Sequence, residues 1–351
     1  MRKGELHHNE IRAQRQMKLL KKRNKGRCRK NGRHPLDRIE YQLNYIRKNT
    51  IYLNAPKQLS LCENNGETLA FFDDAITAIK NAKFNQILYF NLEAVEVVTA
   101  DAIMYLIALI NNVKRVKVLK IKCRGNLPKN DNAKQFIENS GFYSYVRGIS
   151  NISCAPQNNI RIEHGSKTNT RLDERICDFV NLHAGVSTLQ LTKRLYRMII
   201  ELMANTGQHA YSDLNIMNNN WYMYVEQHLD YIEFVFLDTG IGIPVTIRKN
   251  FVEVIKTKFL NIDSDSRFIT SALQGEFRTE TKKNYRGKGL PGIYEDSCEG
   301  FIKDMTIISG RGYCLIGQEG RIIETKLDRE FQGTLYRWKF DYKNYKENDL
   351  C

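Results

Sequence analysis

The sequence lacks several features that would place it in a large class of proteins. No run approaches the ~20 apolar residues that a membrane-spanning helix needs, and the N-terminus has no apolar signal-peptide segment. The eight cysteines form no Cys-x-x-Cys pair, and the seven histidines show no metal-binding spacing. These absences argue against a membrane protein, a zinc site and a disulfide framework, and they favour reduced thiols in the cytoplasm.

Positive charge is concentrated at the N-terminus. Residues 1–34 hold thirteen lysines and arginines against Glu5 and Glu10, which gives +11 of the net +15. The stretch has too few apolar residues to fold alone, so we predict a disordered arm over residues 1–36. Such an arm suits nucleic-acid phosphates or an acidic partner, and a solubilising tail is the alternative. It carries no interleaved aromatic residues for base stacking, so sequence-specific RNA recognition is unsupported.

The rest of the chain is long enough for two α/β domains, which we place at residues 37–155 and 156–351. In the first, apolar spacing predicts helices that alternate with strands: helices over 67–82, 100–111 and 136–142, and strands over 87–92 and 116–122. Strand–helix–strand–helix order implies a parallel or mixed sheet with covering helices.

Within this first domain, the stretch ILYFNLEAVEVVTADAIMYLIAL resembles the STAS domain of anti-sigma-factor antagonists. In that family a partner kinase phosphorylates a serine in the turn between a strand and a helix. The matching turn here is Thr99-Ala100-Asp101-Ala102, and the acceptor position falls on Asp101. Asp101 either imitates the phosphate charge or serves as a carboxylate at the helix N-terminus, and we favour the second interpretation. Thr99 is a weaker candidate for the acceptor.

In the second domain, Glu201, Asn205 and His209 recur every four residues within a helical pattern over 188–211. On a helix they lie on one face, over about 12 Å of its axis. A carboxylate, an amide and an imidazole in line indicate an active-site wall, and a solvated polar face is the alternative.

Two glycine-rich segments follow. Strands are predicted over 221–226 and 231–237, as an antiparallel hairpin around Asp230. The second strand ends in Asp238-Thr-Gly240-Ile-Gly242, which suits a ligand that approaches the backbone. Residues 286–293 read RGKGLPGI and open a probable helix, whose free amide groups favour an anion such as phosphate. The chain has no P-loop motif, and the segment before Gly287 is too polar to be the strand that a Rossmann fingerprint needs.

The second domain is similar to the GHKL ATPase superfamily, which includes gyrase, heat-shock chaperones, histidine kinases and mismatch-repair proteins. Four motifs occur in the same order: Glu201-x3-Asn205-x3-His209, Asp238-x-Gly240-x-Gly242-Ile243, Gly287-x-Gly289-Leu290-x-Gly292-Ile293, and Gly333-Thr334 before a strand. Serine-kinase anti-sigma factors share the pattern Glu-x3-Asn-x3-His-Ala-Tyr, which spans Glu201 to Tyr211 here. The resemblance implies an α/β sandwich whose mixed sheet is covered by helices on one face.

The resemblance also implies a role for each motif. Asn205 would be a ligand of Mg²⁺, and Glu201 would activate the attacking water or hydroxyl. Asp238 would accept a hydrogen bond from the adenine amino group, with Thr334 beside it. The other implied ATP contacts are Gly240, Gly242, Ile243, Gly287, Lys288, Gly289, Leu290, Gly292 and His209, although His209 alternatively packs under a lid. Residues 245–286 would form that lid over the nucleotide.

Three functions follow from the resemblance. The first is an ATP-driven regulatory switch with slow ATP hydrolysis, which we prefer. The alternatives are a serine/threonine protein kinase of the anti-sigma type that acts on a partner protein, and an ATP-binding scaffold without turnover. The expected partners are ATP with Mg²⁺ and a protein bound through the STAS-like domain, and a homodimer is left open.

Overall fold

The computed structural model describes residues 48–115, 120–147, 158–184, 189–208, 219–252, 264–277 and 289–342, together with Arg15, Asn44, Ile46 and Ile255. The predicted arm lies outside this set except for Arg15. The chain is α/β, with parallel and antiparallel sheets and covering helices. Among the described helices, none is long and apolar enough to cross a membrane.

The first segment, up to residue 147, contains the following strands and helices in chain order: β1 (Thr50–Asn54), β2 (Gln58–Leu59), α1 (Asn65–Lys80), β3 (Ile87–Asn91), β4 (Val97–Val98), α2 (Ala100–Arg115), β5 (Lys122–Gly125), α3 (Asp131–Asn139) and α4 (Phe142–Arg147). Strands β1, β3 and β5 form a parallel sheet in that order, and β2 pairs in parallel with β4. The predicted helices α1 and α2 and the strand β3 are confirmed.

Two boundaries in this segment differ from the prediction. Of the strand expected over 116–122, residues 116–119 lie outside the described residues; Lys120 has a φ of 49°, and β5 is described from Lys122. The helix expected over 136–142 is two helices, because Gly141 adopts a φ of +88° between α3 and α4. A φ in this range interrupts a right-handed helix and favours glycine.

The second segment begins at residue 158 and contains the following elements: β6 (Asn159–Gly165), α5 (Thr170–Ala184), α6 (Leu189–Gln208), β7 (Trp221–Gln227), β8 (Ile232–Asp238), α7 (Ile243–Asn250), α8 (Asp265–Leu273), α9 (Gly289–Cys298), β9 (Lys303–Ile316), a 3₁₀ turn (Gln318–Gly320) and β10 (Ile322–Phe340). The strands form one sheet in the order β6-β7-β8-β10-β9.

The prediction of a mixed sheet in this segment is wrong for the described strands, because all four pairings are antiparallel. Neighbouring strands β7 and β8 form a hairpin, as the sequence predicts, and β9 and β10 form a second, longer hairpin. Strand β9 continues through Gly310 at a φ of +60°, beside a register shift between β9 and β10. Glycine tolerates a φ in this range, so the strand continues through this position.

Both faces of this sheet are covered, whereas the resemblance implied helices on one face. Alternate side chains of β7 and β8, among them Trp221, Met223 and Phe236, pack with α5, α6 and α9. The side chains between them, among them Tyr224 and Leu237, join one hydrophobic cluster with α1 and α2 of the first segment. The two-residue period of a strand sends successive side chains to opposite faces, so the sheet carries a core on each side.

Candidate nucleotide site

Asp238 is the last residue of β8 and lies between two neighbouring strands. It pairs with Trp221 of β7 on one side and with Thr334 of β10 on the other. Strand β8 is buried along Ile232 to Leu237, so this carboxyl group comes directly after an apolar run. The Gly240 N–H donates to Asp238 Oδ1 at 2.8 Å. Burial raises the pKa of Asp238 to about 7, and the Gly240 hydrogen bond opposes this rise.

The turn after β8 is held against the start of α7 and the middle of β9. Gly242 has a φ of +84°, and a Cβ there would lie 2.8 Å from Ser309 Oγ and 3.0 Å from the Gly333 carbonyl oxygen. The Ile243 N–H donates to Ser309 Oγ at 3.0 Å, and the Ser309 hydroxyl donates to the Gly333 oxygen at 2.8 Å. The turn therefore requires glycine at position 242 for both its conformation and its close approach.

Thr334 lies in the same hydrogen-bonded group. It is 2% exposed, and its Oγ1 is 3.1 Å from Ser309 Oγ. The structure thus brings Asp238, Gly240, Gly242 and Thr334 together, as the resemblance implied. Ser309 was missed, since it stands inside an apolar strand pattern and its contacts are distant in sequence.

A second part of the site lies between α6 and α9. Both Glu201 and Asn205 are partly exposed and face the first residue of α9. A Cβ built on Gly289 would lie 3.1 Å from Glu201 Oε2 and 3.4 Å from Asn205 Nδ2. The four-residue spacing therefore places the carboxylate and the amide on one face, as predicted for a helix. His209 lies outside the described residues.

The surroundings of Glu201 change its acidity. Burial raises its pKa above the ordinary value for glutamate, and the positive charge of Arg197 lowers it. A carboxylate whose pKa is raised toward neutrality is a better proton acceptor in catalysis than an exposed one. Arg197 was not among the predicted site residues, although it stands four residues before Glu201 and continues the same row.

The glycine-rich helix start is described from Gly289 onward, and Gly287 and Lys288 lie outside the described residues. Leu290 and Ile243 pack against one small apolar cluster, which contains Ile247, Phe268 and Ala272. This cluster joins the start of α9 to the start of α7, so residues next to both parts of the site pack against the same apolar cluster. Gly292 faces Arg197, whose Nη2 would be 3.7 Å from a Cβ at that position.

Part of the predicted lid, residues 245–286, belongs to the core. In α8, Ile269 and Leu273 are fully buried and pack in the same cluster as α6 and the sheet. Asp265 at its start forms an ion pair with Arg248 and accepts a hydrogen bond from the Arg311 N–H at 2.7 Å. The lid role over 245–286 stays a prediction, and residues 253–254, 256–263 and 278–286 of this range lie outside the described residues.

The turn that resembles a phosphorylation site is buried in the first segment. Asp101 is 1% exposed in the first turn of α2, and it accepts hydrogen bonds from the backbone N–H groups of Leu61 at 3.4 Å and Cys62 at 3.2 Å. The Thr99 hydroxyl also donates to Asp101. Asp101 thus acts as a structural carboxylate at a helix start, which is the interpretation favoured from the sequence.

Comparison with known proteins adds no assignment to this geometry. A scan against protein-family models finds no match to the chain, and a search of curated proteins finds none that is significantly similar.

Proposed function

We propose that the second segment binds Mg-ATP and that the protein is an ATP-driven regulatory switch with slow ATP hydrolysis. The observation that carries this proposal is that two sets of polar and glycine residues are linked through one apolar cluster. Asp238 and Thr334 stand at adjacent strand positions beside a glycine turn, and Glu201 and Asn205 face a glycine helix start. Ile243 and Leu290 join the two sets through a shared apolar cluster.

The residues present fit the chemistry of this ligand. Among the described residues, the Asp238 carboxylate accepts one backbone hydrogen bond, from Gly240, and the adenine amino group would suit it as a further donor. Backbone N–H groups at the glycine-rich start of α9 would suit phosphate, as at other helix N-termini. The Asn205 amide oxygen is a suitable ligand for Mg²⁺, and the ion would neutralise phosphate charge. The Glu201 carboxylate would accept the proton of an attacking water.

The switch role is supported by the position of β8 between the two cores. Asp238 ends this strand, and its neighbour Leu237 belongs to the cluster shared with α1 and α2. A ligand shifts a conformational equilibrium only through different affinities for the two states. A change in the contacts of Asp238 on nucleotide binding would therefore be transmitted through Leu237 to the apolar cluster that β8 shares with the first segment. The protein partner of that segment and the ligand of the basic arm stay predictions.

The test follows γ-labelled ATP incubated with the full-length protein and Mg²⁺, and it separates free phosphate from protein-bound label. We expect slow release of free phosphate. In Glu201→Ala this release should be lost while ATP binding is retained, because the variant lacks the proton acceptor but keeps the adenine and phosphate contacts.

Glu295→Ala, an exposed glutamate on α9, serves as the matched control and should behave like the wild type. Label on the protein instead of free phosphate would contradict hydrolysis and indicate a kinase. Tight binding with neither product would indicate a scaffold, and absence of ATP binding would overturn the whole proposal.

A further inference from the structure

One residue from each of four neighbouring strands forms a row across the sheet where β8 ends. Asp238 of β8 pairs with Trp221 of β7 and with Thr334 of β10. Thr334 pairs in turn with Ser309 of β9. Directly opposite residues of antiparallel strands project to the same face, so these four side chains are neighbours. This strand-end row lies on the face that packs with α6 and α9, since Phe236, two positions before Asp238, belongs to that cluster.

The hydrogen bonds of Ser309 fix the direction of the hydroxyl groups in this row. Ser309 is fully buried, and its Oγ accepts from the Ile243 N–H at 3.0 Å. The same Oγ lies 2.8 Å from the Gly333 carbonyl oxygen and 3.1 Å from Thr334 Oγ1. A serine hydroxyl has one proton, and a carbonyl oxygen can only accept. The Ser309 proton must lie on the Gly333 contact, because two acceptors would otherwise face each other at 2.8 Å. Thr334 therefore donates its own proton to Ser309.

The other donors in and beside the row are also bound within the protein. The Trp221 Nε1–H donates to the Lys167 carbonyl oxygen at 2.8 Å. The Gly240 N–H donates to Asp238 Oδ1 at 2.8 Å. An ionised carboxylate has about four acceptor positions and no proton to donate. With Asp238 ionised, the row therefore offers acceptors to a ligand and no side-chain donor.

We propose that Ser309 is a positioning residue that sets the base specificity of the nucleotide site: by taking the Thr334 proton, it keeps the row free of donors, so a base bound there has to donate. A 6-aminopurine such as adenine meets this requirement through its amino group, whereas a 6-oxopurine places a carbonyl oxygen at the same position. The inference rests on the proposed function for its ligand. The direction of the hydrogen bonds is a property of the protein alone and can be measured without nucleotide.

The first measurement compares Mg-ATP and Mg-ITP binding to the full-length protein by titration calorimetry. It is made at pH 8, where Asp238, with a pKa of about 7, is mostly ionised. ITP carries a 6-oxopurine on the same ribose triphosphate, so the ratio of the two Kd values isolates the base. We expect the wild type to bind ATP at least about 10-fold more tightly than ITP. In Ser309→Ala the Thr334 proton is free to donate to Asp238 or to the oxo group, so this preference should fall by about 10-fold.

A double variant separates the released proton from a loosened turn. Ser309→Ala combined with Thr334→Val has no hydroxyl proton to release, so the preference for ATP should return to that of the wild type, although the anchor of Ile243 is still lost. Ser140→Ala is the matched control. It removes another fully buried serine hydroxyl, which donates to the Ile137 carbonyl oxygen at 2.9 Å in the first segment, and it should keep the wild-type preference.

Three results of this comparison would overturn the inference. The first is a wild type that binds ATP and ITP equally. The second is a Ser309→Ala variant that loses the same factor of affinity for both nucleotides, since a collapsed turn would explain that loss. The third is a double variant that does not recover the preference for ATP.

The second measurement is proton NMR of the full-length protein without nucleotide, with the Thr334 hydroxyl signal assigned through Thr334→Val. This proton should exchange slowly with water and show a nuclear Overhauser contact to the β protons of Ser309, because it is buried between the two side chains. Ser309→Ala should lose the slowly exchanging signal, and Ser140→Ala should keep it. A wild type without this contact contradicts the inference whatever the nucleotide assays show. If the wild type binds no nucleotide, the proposed function fails, and this spectrum still decides the direction of the hydrogen bond.

Discussion

At the scale of single residues, the candidate site contains two carboxyl groups in different surroundings. Asp238 ends a buried strand and receives one backbone hydrogen bond, and burial raises its pKa to about 7. Glu201 lies on a half-exposed helix face, where Arg197 opposes the effect of burial on its pKa. Burial disfavours the ionised form of both groups, and for Glu201 the charge of Arg197 opposes this effect, so Asp238 has the stronger tendency to hold a proton.

Asp238→Asn should therefore have opposite effects on stability and on binding. The folded-state pKa lies above the usual value of 3.8, so Asp238 lowers stability as the pH rises from about 4 to about 7. The free energy of unfolding of the variant minus that of the wild type should be larger at pH 8 than at pH 4, by up to ~4 kcal/mol. Each pH unit between the unfolded-state and folded-state pKa values contributes about 1.4 kcal/mol to this change. Its ATP affinity should fall about 10- to 100-fold, because a charge-assisted bond is lost.

Urea denaturation at the two pH values measures the first effect, and titration calorimetry with ATP measures the second. Asp74→Asn removes an exposed carboxylate of α1 and serves as the control. An unchanged ATP affinity in Asp238→Asn would contradict the contact between Asp238 and adenine. A difference in unfolding free energy between variant and wild type that is the same at both pH values would contradict the raised pKa of Asp238.

At the scale of secondary structure elements, the start of α9 is shaped to lie close to α6. Glycine in a helix normally costs up to ~1 kcal/mol relative to alanine, so its presence at position 289 needs a local reason. The reason is the space beside it, because a Cβ would be 3.1 Å from Glu201 Oε2. A Cβ at position 289 would meet the end of the flexible Glu201 side chain. Glu201 can relieve this contact, but only by moving its carboxylate away from its present position in the site.

Gly289→Ala should reduce ATP turnover by about 10-fold or more, because displacement of a catalytic group by a fraction of an ångström is costly. The free energy of unfolding should change little, since Glu201 can turn aside. Gly66→Ala in the first turn of α1, where a Cβ would meet nothing within 4 Å, is the control and should keep full turnover. Comparable turnover in both variants would show that Glu201 has no role that depends on its position.

At the scale of the whole molecule, the two segments share one apolar cluster across the five-stranded sheet. The ring of Tyr105 on α2 lies 4.8 Å from that of Phe331 on β10. Arg337 on β10 adds a polar link, because it donates to Glu63 of the first segment at 3.0 Å and to Glu233 of β8 at 2.8 Å. The segments should therefore unfold in one transition.

Two arginines on β10 allow a matched test of this link. The Arg337 side chain is 18% exposed, whereas Arg329, which pairs with Asp73 at 3.1 Å, is 47% exposed. Arg337→Met should lower the free energy of unfolding by about 3 kcal/mol, since it leaves Glu233 buried beside Glu226 without its partner. Arg329→Met should cost less than ~1 kcal/mol, because the pair is exposed to solvent.

Denaturant unfolding followed by both tryptophan fluorescence and circular dichroism measures these differences. Both tryptophans, Trp221 and Trp338, lie in the second segment, whereas circular dichroism reports both segments. Transitions that do not coincide would contradict a shared core, and equal losses in the two variants would contradict the importance of the buried link.

The sequence by itself determined the features that depend on neighbours in the chain. Helical period placed Glu201 and Asn205 on one face, two successive apolar segments around Asp230 predicted the β7–β8 hairpin, and glycines marked the turn after Asp238. These features follow from backbone geometry over a few residues, which the sequence encodes directly.

Only the tertiary structure decided which distant residues meet. It placed Ser309 against Gly242, joined Arg197 to Asp296, and set the first segment on the second face of the sheet. It also paired β6 with β7, and β8 with β10, in antiparallel fashion, which no local pattern predicted. Strand pairing and core packing depend on contacts between residues up to hundreds of positions apart, and the apolar pattern of one strand does not specify its partner.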